Sequence, residues 1–410
     1  MPGVSRLLQV GLAVLASGVV VGCYQEIRID DPDGSPPPWD AGPPAPRFMP
    51  PPGACQVPTG VDLLLVVDNS RSTVEEQAAW TAELPALAES LVHPPDADGD
   101  GELDWLPVAD LRIGVVTPDM GTGGHTVPTC ARSDFGDDGV LRTIGRDDIE
   151  GCESTYPRFV DFSLGGPTTA VEFARAVGCV ASVGTSGCGF EQPLEAALKA
   201  LVPLGATRYT VPTYTPPAFF RGASGQGERV NIGFVRDDSL LAIVVLTDED
   251  DCSARDPELF NPSSGVYGRT DLNLRCFVHA DEALHPVSRY VEGLTALRAG
   301  REDLLAFAVI GGVPPDLVVP VPTEDNFREI LDDPRMLEQI DPANPTQLLP
   351  SCDVASGGIA VPPRRLVQVA QALGPSRATV QSICGRESIA AARGAIARLI
   401  GVRACQVHGD

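Results

Sequence analysis

The sequence predicts an α/β fold, a doubly wound and mostly parallel sheet flanked by helices, and two observations carry that expectation. Apolar runs of strand length at 61–67, 111–116, 240–246 and 304–310 are continuous rather than alternating, as strands covered on both faces require. Helix-compatible stretches intervene at 73–91, 168–181, 193–201, 286–299 and 386–400. Alternation of this kind builds a parallel sheet with helices on both faces, and ligands then sit beyond the carboxyl ends of the strands.

The 410 residues are 43% hydrophobic and 21% charged, enough apolar material for a substantial core. Thirty basic residues against 55 acidic ones leave a net charge of −25, which argues against sequence-independent attraction to nucleic acid or to an anionic lipid surface. Cationic partners and divalent metal ions suit that balance.

Taken in order, residues 1–22 read as an export signal, with Arg6 as its positive end and Leu7 to Val21 as an apolar run too short to span a bilayer. The run closes on Val20-Val21-Gly22-Cys23, which resembles the lipobox of bacterial lipoproteins. That resemblance implies acylation of Cys23 and a mature chain held in the bacterial cell envelope by lipid alone, with Tyr24 and Gln25 suiting the outer membrane better than the inner. Residues 23–54 are rich in Pro, Gly and Asp and form an extended tether. The folded body is expected over 55–405, with insertions near 117–157, 209–236 and 313–363, before a tail at 406–410. In the first helix, Pro85 marks a place for a kink.

There are eleven cysteines. Assigning Cys23 to lipid leaves an even number, which agrees with an oxidising, exported location. Proximity in sequence suggests Cys130–Cys152, Cys179–Cys188, Cys252–Cys276 and Cys352–Cys384, leaving Cys55 for Cys405. Zinc is a poor fit, since no two cysteines have zinc-ligand spacing and the five histidines are scattered.

Directly after the first strand comes Asp68-Asn69-Ser70-Arg71-Ser72, and a second apolar strand ends in Thr247-Asp248. The order of strand, D-x-S-x-S, helix and later strand-Thr-Asp resembles the von Willebrand factor type A family. This resemblance implies a Rossmann-like sheet carrying a metal-ion-dependent adhesion site, with Asp68, Ser70, Ser72 and Asp248 around Mg²⁺ or Mn²⁺. One coordination position is then left for an acidic group of a protein or other macromolecular partner. Hard oxygen ligands suit such a cation. For the second-loop ligand two residues qualify: Thr185, in a glycine-flanked stretch, and Glu191, by its distance from the following helix. Arg71 departs from the family pattern, which has glycine between the serines.

The acidic run Thr247-Asp248-Glu249-Asp250-Asp251-Cys252 reads as a solvated turn or as room for a second cation. Separately, Asp96, Asp98, Asp100, Glu102 and Asp104, with Gly101 at the sixth position, resemble the start of a Ca²⁺ loop. The twelfth position is Pro107 rather than glutamate, so Ca²⁺ there needs a borrowed carboxylate such as Asp110.

No common hydrolase, zinc-protease or phosphate-loop motif is present. The expectation is a membrane-anchored adhesion or protein-binding lipoprotein rather than an enzyme. The rival readings are a metal-assisted hydrolase of the cell envelope and an envelope scaffold that binds no metal.

Overall fold

A computed structural model describes residues 60–203, 225–354 and 358–404. The signal segment, Cys23, the tether, the tail and the expected Cys55–Cys405 bridge lie outside the described residues. In chain order come β1 (Val61–Val67), α1 (Val74–Val92), β2 (Asp110–Val116), β3 (Phe159–Ser163), α2 (Ala170–Ala181), α3 (Pro193–Leu201) and β4 (Leu240–Leu246). The short helices α4 (Arg275–Val278) and α5 (Ala280–Ala283) follow, then α6 (Val287–Ala296), β5 (Leu305–Gly311) and α7 (Glu324–Asp332). Last are β6 (Cys352–Val354), β7 (Gly358–Ala360), α8 (Arg364–Leu373), β8 (Ala378–Ser382) and α9 (Arg386–Ala404).

Six strands form one sheet in the order β3-β2-β1-β4-β5-β8, parallel throughout except for the antiparallel edge pair β2–β3. The strands β6 and β7 make a separate antiparallel hairpin. Strand β1 shows why the expected apolar runs are continuous. Val61, Leu63, Leu65 and Val67 join a core with α1, α2 and α9, whereas Leu64 and Val66 join one with α3, α6, α7 and α8. Each such side chain contributes about 1.5–3 kcal/mol when fully buried. Asp62 in the same strand is also buried, and it is held by Arg236, whose backbone N and Nε donate at 2.6 and 2.8 Å.

The expected helices and four central strands form, and α1 runs continuously through Pro85. Four strands, β3, β6, β7 and β8, and four helices, α4, α5, α7 and α8, go beyond the sequence expectation. β3 is short and only partly buried, so its apolar signal is thin. β8 reads as polar, yet all five of its residues are buried. Its Gln381 spends its amide on Val319 O and Thr379 Oγ1, both at 2.9 Å, which removes the cost of burying it. The expected insertion at 313–363 contains α7 and the β6–β7 hairpin, and α8 follows it directly.

Four disulfides are formed: Cys130–Cys188, Cys152–Cys179, Cys252–Cys276 and Cys352–Cys384. The last two are as expected. Cys130–Cys152 and Cys179–Cys188 are corrected, because α2 carries Cys179 back against the 144–156 segment while Cys188 lies beyond the helix. There Gly189 N donates to Thr129 O at 3.3 Å, beside Cys130. Proximity in sequence misled because Cys179 sits within α2 and faces Cys152, whereas Cys188 lies in the loop past the helix and meets Cys130. Among the described residues no helix is long and apolar enough to cross a membrane.

Candidate metal centre

Three loops meet beyond the carboxyl ends of β1 and β4. These strands pair in register, Val67 beside Leu246, so Asp68 and Asp248 leave the sheet on neighbouring strands. Asp68 is fully buried and tightly oriented: Oδ1 accepts Ser70 N at 2.8 Å and Oδ2 accepts Thr247 Oγ1 at 2.8 Å. The hydroxyls of Ser70 and Ser72 lie 3.0 Å apart, and Ser72 also hydrogen-bonds Asp248. Asp68, Ser70, Ser72 and Asp248 therefore lie together at the ends of β1 and β4. Arg71 is exposed to solvent, so the departure from glycine leaves the site unobstructed.

The second loop is clasped to the first. Gln77 on α1 donates to Asp68 O at 2.9 Å and Gly184 O at 3.0 Å, and its Oε1 accepts Gly184 N at 3.0 Å. Gly187 N donates to Asn69 O at 2.7 Å, in a contact so close that a Cβ on Gly187 would collide with the Asn69 side chain. Thr185 lies half-buried within this clasped stretch. Glu191 is the second-loop residue on which the charges of Asp68 and Asp248 act. It is buried, its backbone bridges Asp119 and accepts Cys252 N at 2.8 Å, and one carboxyl oxygen shares a hydrogen bond with Glu249.

Electrostatics single out the same residues. Burial pushes the Asp68 carboxyl up, against the hydrogen bonds from Ser70 and Thr247 that favour its charged form. Burial first, then Asp68 and Glu249, raise Asp248 well above the usual carboxylate range. Glu191 is raised in the same way, by burial and then by Glu249, Asp68 and Asp248. Glu249 is exposed at the surface, yet desolvation of its carboxyl by the surrounding protein and the charge of Asp68 push it up to about 7. Two carboxyl oxygens, Asp248 Oδ1 and Glu191 Oε1, are buried with no hydrogen-bond partner. Buried, mutually repelling and partly unpartnered carboxylates are costly unless a cation balances them. The donor set, carboxylate and hydroxyl oxygens, is the one that hard divalent cations take.

The structure divides the labour within the acidic run after β4. Asp251 is a structural residue: Oδ1 accepts Leu194 N at 3.0 Å and Ser253 Oγ at 2.6 Å, and Oδ2 accepts Arg365 Nε at 3.2 Å. Ser253 Oγ in turn accepts Glu195 N at 3.0 Å. Together they satisfy the first turn of α3, which has no cap of its own at Gln192. Asp250 accepts Arg365 N at 3.0 and 3.1 Å. Asp248 and Glu249 are thus the acids of this run that face Asp68 and Glu191.

One participant escapes the sequence reading. Glu76, in the first turn of α1, is buried with Oε2 unpartnered and is pushed up to about 7 by burial, Glu75 and Asp68. Thr73-x-x-Glu76 looks like a capping box, but Thr73 makes no side-chain cap and instead donates to Asp68 O and Ser70 O, each at 3.2 Å. The hairpin covers Glu76 so closely that a Cβ on Gly358 would strike its Oε1.

The second acidic cluster is separate. Asp96, Asp98 and Asp100 are the one group of three metal-type acidic ligands among the described residues whose oxygens all lie within 4.8 Å of one another. The loop follows the carboxyl end of α1 and leads into β2, so it sits at the opposite end of the sheet from Asp68. Its carboxylates accept backbone N–H groups, including Gly101 N on Asp96 Oδ2 at 3.0 Å, and Gly101 has the positive φ of 90° that the sixth position requires. Glu102 N donates to Asp100 Oδ1 at 2.8 Å, and Asp104 N to Pro95 O at 2.8 Å.

The fold and centre define a class, an α/β protein with an oxygen-rich cluster at the carboxyl ends of two central parallel strands. Comparison of this chain with protein-family models, with curated proteins and with solved structures finds no match.

Proposed function

We propose that this protein is an exported, lipid-anchored binding protein of the cell envelope. In this reading it holds Mg²⁺ or Mn²⁺ at a metal-ion-dependent adhesion site of the von Willebrand factor type A kind and contacts an acidic group of a macromolecular partner there. The observation that carries it is the meeting of Asp68, Ser70, Ser72 and Asp248 at adjacent strand ends, with buried carboxyl oxygens of Asp248 and Glu191 left unpartnered. The sheet order, with its one antiparallel edge strand, supports the same family. Glu191 rather than Thr185 is the second-loop ligand, because its buried carboxyl feels the charges of Asp68 and Asp248 and keeps one oxygen unpartnered. A bound cation supplies the positive charge that lets this acidic surface hold a partner's carboxylate.

Capture from envelope extract tests the reading. A partner should be retained with Mn²⁺, released by chelator and lost with Asp68→Ala. Retention unchanged by chelator would contradict it.

A further inference from the structure

Beside the metal centre, outside the end of β4, lies a second feature that its cation does not occupy. A cavity of about 250 Å³ is walled by Phe190, Phe277, Leu348 and Val361 and by the Cys252–Cys276 bridge. Six carboxylates line it, those of Glu191, Glu249, Asp250, Asp251, Asp281 and Glu338, against the two arginines 364 and 365, a formal balance of −4.

Both arginines have structural duties. Arg364 Nη1 donates to Leu331 O and Met336 O, each at 2.8 Å. Arg365 donates to Asp251 through Nε at 3.2 Å and to His285 O through Nη2 at 2.7 Å. They hold α8 against its neighbours rather than offering a site for an anion. Asp250 and Asp251 are matched by Arg365 and the α3 N-terminus, but Glu191, which lines the cavity, is 1% exposed and its Oε1 has no partner.

We propose that this cavity binds a cationic group on a short alkyl stem, an ammonium or guanidinium. The volume is small by the standard of ligand pockets, which run from roughly 300 Å³ upward, and suits a single side chain. The apolar walls, Phe190 and Phe277 among them, fit an alkyl stem, and the carboxylates supply acceptors for the cation. An anionic group meets unbalanced negative charge there and is rejected. The chemistry is that of a lysine or arginine side chain or of a free alkylamine. The site goes beyond the metal reading: it shares Glu191 and Glu249 with that centre, but its remaining walls come from α4, α8, the loop after β4 and the 338–348 segment, so it is read in metal-free protein.

Titration calorimetry on the full-length protein in chelator tests this, using n-butylammonium and n-butylguanidinium with butyrate and n-butanol as controls. The cations should bind and both controls should not. Glu338→Gln and Asp281→Asn, at the rim, should each weaken the cation about two- to fivefold, the range for a partly exposed ion pair. Phe277→Ala should weaken butylammonium as well, through the wall rather than the charge. N-acetyl-lysine N-methylamide binding as well as butylammonium assigns a partner's side chain, and its exclusion while butylammonium binds assigns a free amine. The Glu338→Gln/Asp281→Asn double variant should bind Mn²⁺ as wild type does, so loss of the metal site and loss of this site are read separately. Butyrate binding as tightly as butylammonium, or cation affinity unmoved in the Glu338→Gln/Asp281→Asn double variant, would overturn the proposal.

Discussion

Glu76→Gln should stabilise the metal-free protein, and only at neutral and alkaline pH. Glu76 is 1% exposed, has an unpartnered Oε2 and is displaced from 4.5 to about 7. A carboxyl raised in the folded state disfavours folding once it must ionise. The native protein is therefore at its best with respect to this group below pH 4.5, where both states are protonated, and loses that advantage as pH rises toward 7. At about 1.4 kcal/mol per unit the full displacement corresponds to about 3 kcal/mol. Relaxation around the charge lowers the return from removing it to about 1–3 kcal/mol. Glutamine keeps the shape of the neutral acid without the charge. For a body of this size that gain raises the melting temperature by about 2–4 °C at pH 8 and by almost nothing at pH 4.5. Thermal unfolding followed by circular dichroism in chelator measures both. A variant less stable than wild type at pH 8, or one with the same advantage at both pH values, would refute the reasoning.

Other predictions follow from the same structure. Non-reducing peptide mapping should recover Cys130–Cys188 and Cys152–Cys179; recovery of Cys130–Cys152 would show the loops are connected differently. Asp251→Ala should cost about 2–3 kcal/mol in urea unfolding, because it orphans the α3 N-terminus and a buried Arg365 contact; a loss under 0.5 kcal/mol would contradict the capping role. Thr247→Ala frees one Asp68 oxygen and should lower divalent affinity while costing the apo fold about 1 kcal/mol; unchanged affinity would mean that this bond does not orient Asp68. Cys23→Ser should move the protein from the membrane fraction to the soluble one or leave it unprocessed, and unchanged mass and fractionation would remove the anchor from the account.

The parts of the fold that the sequence makes legible are those whose apolar residues are contiguous. β1 and β4 announce themselves because both faces are covered, and the acids that follow them locate the site. β8 hides because its buried Gln381 and Thr379 satisfy each other, a pairing no hydropathy pattern records. The disulfides around the second loop could not be read by proximity, since Cys179 points back from a helix while Cys188 lies past its end. Glu76 hides inside a capping signature that the structure does not use as a cap. In the acidic run, sequence shows surplus charge but not its division. The N-terminus of α3 claims Asp251 and the start of α8 claims Asp250, and that follows only once the helices are placed.

The central claim is a divalent-cation site at Asp68 and Asp248, and Mg²⁺ and Mn²⁺ titration calorimetry tests it most directly. Wild type should bind one ion per chain at this centre, with Asp68→Ala and Asp248→Ala weakened by about tenfold or more while their far-ultraviolet dichroism stays unchanged. Asp68→Ala protein that binds the ion as wild type does, or wild type that binds neither ion, would contradict the account.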